Sequence, residues 1–460
     1  MHSTLNGYTR SINPEPTRLL TLLVDTFLKL PLDTEASGFP PIAIVDHMRA
    51  VAVHAEEAGL KQAGALWNSL GYFLWAAREL GEAKACLDRC LAFNEQNFGM
   101  EHGNTAIALS NLGRVLSDSG DLKAARSYFE RAMAINEKVF SASYPEVAMN
   151  ANDLGQVLYD LGDLQGARLC FERALSIHEN AFGYGPKHAV IAIETGNLGR
   201  VLRDLHDLQG AKTCFERALA VDEWVYGPRH PKIASRANYL GRILYQLGDL
   251  QGAKTCFERA VAIENADPNI ESAGSANALN NLAQVLQDLG NLEEARECFE
   301  QVLAIDEKVH GTEHPTVAKD ITNLGNVERD LGNLPAARDR FARALKINEV
   351  IYGQFHPVTA ANIKNLGRVL YSLGDLSGAK DAYQRVLEIE TRLLDSDHVE
   401  VGTDVHNLGM VLFELGELKE AQACYERALR IFEKKLSPDN IKRVKALQHL
   451  DRVRKRLKSS

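Results

Sequence analysis

The chain has 460 residues, of which 45% are hydrophobic and 25% charged, an ordinary balance for a folded, water-facing protein. Its formal net charge of −9 disfavours non-specific attachment to nucleic acid. No apolar run reaches the roughly 18–20 residues of a membrane helix, and the opening MHSTLNGYTRSINPEP lacks the basic-then-apolar order of a secretory signal.

Taken in order, residues 1–14 read as a disordered tail. A helix is expected over 16–30, with Pro16 in its first turn and Leu19, Leu20, Leu23, Phe27 and Leu30 as its apolar stripe. The composition of 31–41 is that of a loop, and a second helix is expected over 42–58, ending at Gly59. Together, residues 15–59 read as an N-terminal helical cap.

A repeat then takes over. The stretch DLQGAKTCFERALAVDE at Asp207–Glu223 recurs nearly unchanged at 249–264, with relatives starting at Asp121, Asp163, Asn291, Asn333, Asp375 and Glu417. A Leu-Gly marker falls at Gly71, Gly113, Gly155, Gly199, Gly241, Ala283, Gly325, Gly367 and Gly409. The interval is 42 residues throughout, except for 44 between Gly155 and Gly199, where the loop FGYGPKH is longer. Nine units therefore occupy 60–440.

Each unit predicts two antiparallel helices. In Pro231–Leu247 the proline opens the first; Gly248 stops it and Asp249 caps the second. The second helix carries Leu250, Ala253, Phe257, Ala260 and Ile263 on one stripe. Neither helix buries its stripe alone, so stacking makes the fold. Ala266–Asn277 replaces the usual loop with a Pro-, Gly- and Ser-containing segment and predicts the most mobile joint. A basic capping helix is expected over 441–460, with Ile441, Val444, Leu447, Leu450 and Val453 on one face, and 434–458 holds ten Lys/Arg against two Asp.

Six of the seven cysteines (Cys86, Cys170, Cys214, Cys256, Cys298 and Cys424) share one repeat position. Equivalent atoms of stacked helices lie roughly 8–10 Å apart, beyond the ~7 Å Cα separation of a disulfide, so these read as reduced, small apolar packing residues in a cytosolic protein. Histidines 102, 188, 230, 314, 356 and 398 belong to the loop signature and read as turn-stabilising. No pattern with metal-ligand or phosphate-loop spacing occurs. No catalytic constellation, metal or cofactor is expected.

The Leu-Gly of the first helix and the Ala, Phe and Ala of the second resemble the tetratricopeptide repeat. The 42-residue period, the Asn-Leu-Gly marker and the Gly-x-x-His-Pro loop look like the kinesin-light-chain type, which also forms the C-terminal arrays of STAND/NB-ARC-type signalling NTPases. The resemblance covers residues 60–458, and more loosely 19–58. It implies an all-α, right-handed α-solenoid, a superhelix whose first helices line a concave groove.

On that face, helical geometry groups the residues three before, one after and four after the marker glycine. They give Asn68, Asn152, Asn238, Asn280 and Lys364; Arg114, Gln156, Arg200, Arg242, Gln284, Asn326 and Arg368; and Tyr159, Arg203, Tyr245, Gln287, Arg329 and Tyr371. Amides suit a peptide's main chain, tyrosines offer flat area, and arginines pair carboxylates. Asp118 and Asp204 lie four residues after Arg114 and Arg200 and offer competing internal pairs, whereas Arg242 and Arg368 have no acid at that spacing. The marker asparagines Asn111, Asn197, Asn281, Asn323, Asn365 and Asn407 carry two open readings: an internal ladder, or the peptide clamp that the kinesin-light-chain resemblance implies.

The expectation is a non-catalytic, monomeric, cytoplasmic interaction scaffold or adaptor. It would hold a protein segment or peptide, acidic with an aromatic anchor, along the groove, with its best seat at 150–250. The alternative is a sensor array working with a separate NTPase or effector; a third is a scaffold self-assembling through its ends.

Overall fold

The computed structural model describes residues 16–29, 42–181, 188–266 and 273–459. The expected tail at 1–14, the loop at 31–41, most of the FGYGPKH loop and half of the expected mobile joint lie outside these residues. Every regular element among the described residues is an α-helix. The chain divides into two compact units, Met1–His230 and Pro231–Ser460.

In the first unit, α1 (Pro16–Leu28) and α2 (Ile42–Glu57) precede four helix pairs. These are α3 (Ala63–Ala76) with α4 (Leu80–Phe98), α5 (Gly103–Asp118) with α6 (Leu122–Val139), α7 (Pro145–Asp160) with α8 (Leu164–Asn180), and α9 (Ala189–Asp204) with α10 (Leu208–Tyr226). The second unit holds five pairs and a lone last helix. The pairs are α11 (Pro231–Gln246) with α12 (Leu250–Glu264), α13 (Ala273–Asp288) with α14 (Leu292–His310), α15 (Pro315–Asp330) with α16 (Leu334–Tyr352), α17 (Pro357–Leu373) with α18 (Leu376–Leu393), and α19 (Val399–Glu414) with α20 (Leu418–Lys435); α21 (Ile441–Ser459) ends the chain's described part. Each unit is an α-solenoid of antiparallel helix pairs.

The short connections follow from local chemistry. Gly248 adopts φ +84°, open to a residue without Cβ, and the Asp249 carboxylate then accepts the Gly252 N–H to start α12. The long connections are set by histidine. The Nδ1 atoms of His102, His188, His314, His356 and His398 accept the backbone N–H two residues on, at 3.1–3.3 Å. An aromatic ring four residues earlier stacks on several of them, as Tyr352 does on His356 at 4.5 Å.

The core repeats as well. Phe129, Phe171, Phe215, Phe257, Phe299 and Phe341 are fully buried, in six of the second helices, with Leu87, Tyr383 and Tyr425 in the same place in the others. Most of these side chains face a marker glycine: a Cβ added at Gly241 would meet the Phe257 ring at 2.7 Å. The cysteines are free thiols, Cys86 and Cys90 buried and the others half-buried. The last helix corrects an expectation. Leu450 and Val453 are buried, but Ile441, Val444 and Leu447 are exposed. α21 has the place of a first helix without a second one beside it, so only one edge of its apolar stripe is covered.

Candidate functional site

Successive first helices lie side by side within each unit, and their facing side chains form two ladders. Asn111 Nδ2 donates to Asn68 Oδ1 at 2.8 Å and Asn197 to Asn152 at 3.0 Å. In the second unit Asn281 donates to Asn238 at 2.9 Å and Asn323 to Asn280 at 3.2 Å. Of the two readings open for the marker asparagines, the internal ladder is the geometry at these four. Asn365 and Asn407 have no amide opposite, because Thr322 and Lys364 hold those places. The last rung is a histidine pair, with His449 Nδ1 3.1 Å from His406 Nε2.

The second ladder joins the residue four after one marker to the carboxylate five after the next. Trp75 Nε1 donates to Asp118 at 2.8 Å, Tyr159 OH to Asp204 at 2.5 Å, Tyr245 OH to Asp288 at 2.6 Å, and Gln287 Nε2 to Asp330 at 2.7 Å. Burial, then the bond to Asp204, raises the Tyr159 pKa. Burial pushes Asp204 up, but Arg203 and Tyr159 hold it below the usual carboxylate range.

These ladders overturn the i,i+4 pairs expected from spacing. Arg114 reaches across to Asp153 at 2.8 Å, and Asp118 takes Trp75 and Arg78 instead. Arg200 lies 4.8 Å from the Tyr159 ring centre and donates to Gln156 at 3.4 Å. Arg203 is paired at 2.7 Å with its neighbour Asp204. Gln156 and Gln284 donate to Asp160 and Asp288, and Arg329 binds Asp330 and Asn326. Lys364 is drawn to Asp404 at 2.8 Å and Glu390 at 2.9 Å, which hold its pKa above normal against burial. Among the described residues, Arg242 and Arg368 are exposed on this face with no ion pair. One turn after Arg368, Tyr371 joins Met410, Phe413, Glu414, Tyr425, His449 and Arg452 around a shallow cavity of about 50 Å³.

A further set of contacts escaped the sequence reading. At several joints a polar residue near the end of a second helix meets the next first helix in the core. His178 Nδ1 is 2.7 Å from Glu194, both side chains nearly inaccessible. Asp306 hydrogen-bonds Asp320, whose pKa burial and that partner push up to about 7. Glu390 and Lys364 face Asp404, whose pKa is pushed up to about 8, by burial first. The signal was available: AIN, SIH, AID and EIE place a polar residue inside an otherwise apolar stripe, with a polar partner 14–16 residues on.

The tetratricopeptide repeat model matches residues 62–138, 118–180, 189–265, 274–349, 319–392, 358–434 and 402–457, and a second model of that name matches 238–309. The chain belongs to the tetratricopeptide repeat family. Among solved structures it is similar to the "kinesin light chain nearly identical TPR-like repeats" of Podosopora anserina, at 26% identity over 45% of this chain and 99% of that one, TM-score 0.41. It is also similar to BtubC (BKLC) from P. vanneervenii, at 22% identity over 51% of this chain and 94% of that one, TM-score 0.42. No curated protein matches it significantly. Repeats of this family serve protein–protein contact. No described helix is long and apolar enough to cross a membrane.

Proposed function

We propose that this tetratricopeptide array is a non-catalytic scaffold that holds a segment of another protein against its first-helix face, reading acidic side chains with Arg242 and Arg368. The observation that carries this reading is selective pairing. Arg114, Arg203, Arg329 and Lys364 already have carboxylate partners, whereas Arg242 and Arg368 project from the second unit without one among the described residues. An incoming carboxylate meets an exposed guanidinium there and displaces no internal carboxylate. The cavity beside Tyr371 and Phe413, one turn from Arg368, suits an aromatic anchor next to that acid. In this reading the scaffold works as a cytoplasmic monomer without a cofactor.

The test is an array of synthetic twelve-residue peptides, Asp/Glu-rich with one Trp against Lys-rich and Trp-free controls. The full chain is expected to retain the acidic Trp peptides, and Arg242→Glu with Arg368→Glu to weaken them at least tenfold at unchanged helical circular dichroism. Equal retention by the double variant sinks the acidic reading.

A further inference from the structure

The helix α21 carries a face that no described helix covers. Two of its sides are held: Lys442 and His449 meet Thr403 and His406 of α19, and Arg443 and Arg454 pair with Glu433 and Glu426 of α20. The remaining side is a stripe of Val444, Leu447, Asp451, Lys455 and Lys458, all exposed. Steps of three and four residues keep these five on one helical face.

The repeat defines the shape that fits this face. One period earlier, Val444, Leu447 and Asp451 correspond to Gly402, Val405 and Gly409 of α19. Those three lie against α20: a Cβ at Gly402 would meet Phe432 at 2.8 Å, one at Gly409 would meet Tyr425 at 3.0 Å, and Val405 packs with Ala428, Ile431 and Phe432. In every described pair the first helix is covered here by a helix antiparallel to it. The chemistry of the α21 face nonetheless differs from its siblings'. Asp451 fills the marker position and so refuses the aromatic ring that Tyr425 sets against Gly409. Lys455 and Lys458 stand where α19 and its turn have Phe413 and Gly416, and make no ion pair among the described residues. Two copies of α21 repel each other, because 434–458 holds ten Lys/Arg against two Asp.

We infer that the open face of α21 docks an amphipathic helix of a partner protein, antiparallel to α21, with acids in its first turn and apolar residues about three turns later. The antiparallel register fixes the pattern. Acids at i and i+3 face Lys458 and Lys455, a basic residue at i+7 faces Asp451, and Leu or Ile at i+11 and i+14 cover Leu447 and Val444. At a rise of 1.5 Å per residue the acidic and apolar halves lie about 16 Å apart. Acids in a first turn also suit the partner helix's own dipole. This surface uses neither Arg242 nor Arg368 and goes beyond the reading of them.

The experiment reads the fluorescence anisotropy of labelled peptides, built on a helix-favouring Ala/Gln background, against the full chain at neutral pH. The test peptide has Glu at i and i+3, Lys at i+7, and Leu at i+11 and i+14. One control has the same residues in reverse order; another has Lys in place of both Glu. The chain variants are Val444→Gln/Leu447→Gln, Lys455→Glu/Lys458→Glu and Arg242→Glu/Arg368→Glu, all at exposed positions, with circular dichroism checking their fold. The test peptide is expected to bind wild type at least tenfold more tightly than either control. It should lose at least tenfold in the first two variants and stay within twofold in the third. The Lys-for-Glu peptide should regain binding to Lys455→Glu/Lys458→Glu, a rescue that a folding defect would not allow. Absence of binding, or equal binding of the reversed peptide, overturns the inference. Loss of binding in Arg242→Glu/Arg368→Glu also overturns it and leaves the scaffold reading in place. Attachment to phosphatidylserine vesicles without peptide binding, abolished in Lys455→Glu/Lys458→Glu, makes the occupant a lipid surface. Self-association abolished in Val444→Gln/Leu447→Gln makes it a second copy, and either result overturns the partner helix.

Discussion

Asp320 is held in an environment far from its solution chemistry. It is buried on α15 against Asp306 of α14, with the Lys319 charge acting against its shift. Its folded pKa of about 7 lies above the usual carboxylate value near 3.9. The unfolded chain therefore gives up this proton first. The contribution is favourable below about pH 4 and is lost progressively as pH rises to about 7. Asp320→Asn keeps a donor for Asp306 and removes the titration. Thermal melts from pH 4 to 8 are expected to show the variant a few degrees more stable at pH 8 and equal to wild type at pH 4, with about 2–4 °C for each kcal/mol. His206 offers a simpler case. It holds φ +64° where sibling connections use glycine, a left-handed conformation costing a side-chain-bearing residue about 1 kcal/mol. His206→Gly is expected to raise the urea midpoint by an equivalent amount.

α21 is held by different chemistry from the other first helices. Its rung is His449 with His406, and burial followed by the facing His449 pushes the His406 pKa down to about 4. Burial and the neighbouring Arg452 and Lys445 lower His449 as well. A histidine with a depressed folded pKa stays neutral in the fold, so its stabilisation is complete above about pH 6.5 and is lost as pH falls towards 4. Hydrogen exchange should show α21 losing protection across that window, while His406→Asn with His449→Asn restores an asparagine rung and flattens the response. Retention of the acid sensitivity in the double variant would refute the assignment. The close pairing of first and second helices is the other element-scale constraint. Gly241→Ala pushes against Phe257 and is expected to destabilise by about 1–3 kcal/mol in urea titrations.

Across the molecule, near-identical repeats raise a problem of neighbour choice, because interchangeable units can stack out of order. The buried polar contacts vary from joint to joint: His178 with Glu194, Asp306 with Asp320, and Lys364 with Glu390 and Asp404. A mismatched joint would leave a buried charge or donor unmet, at a cost of several kcal/mol. The cysteines report on the packed state of the whole array. Burial pushes Cys90 up to about 12 and both Cys214 and Cys298 up to about 11. Thiol labelling at pH 8 is expected to be slow for these three in the folded chain and to become uniform and fast in urea; fast labelling of Cys90 in native buffer would contradict its burial.

The 42-residue period, the glycine and aspartate that divide most of the pairs, and the turn role of the loop histidines were legible in the sequence. Each depends on residues within one helix or one turn, where spacing alone decides which atoms meet. The assignment of the Arg, Tyr and Asn columns was legible only as a face. Their partners lie 39–45 residues away on the neighbouring first helix, so geometry across the stack decided that Arg114 meets Asp153 rather than Asp118. Spacing had already set Arg242 and Arg368 apart, and the tertiary structure showed them exposed and, among the described residues, without an ion pair. Only the tertiary structure showed Val444 and Leu447 uncovered, because whether an apolar side chain on a helix is covered depends on which helix lies against it.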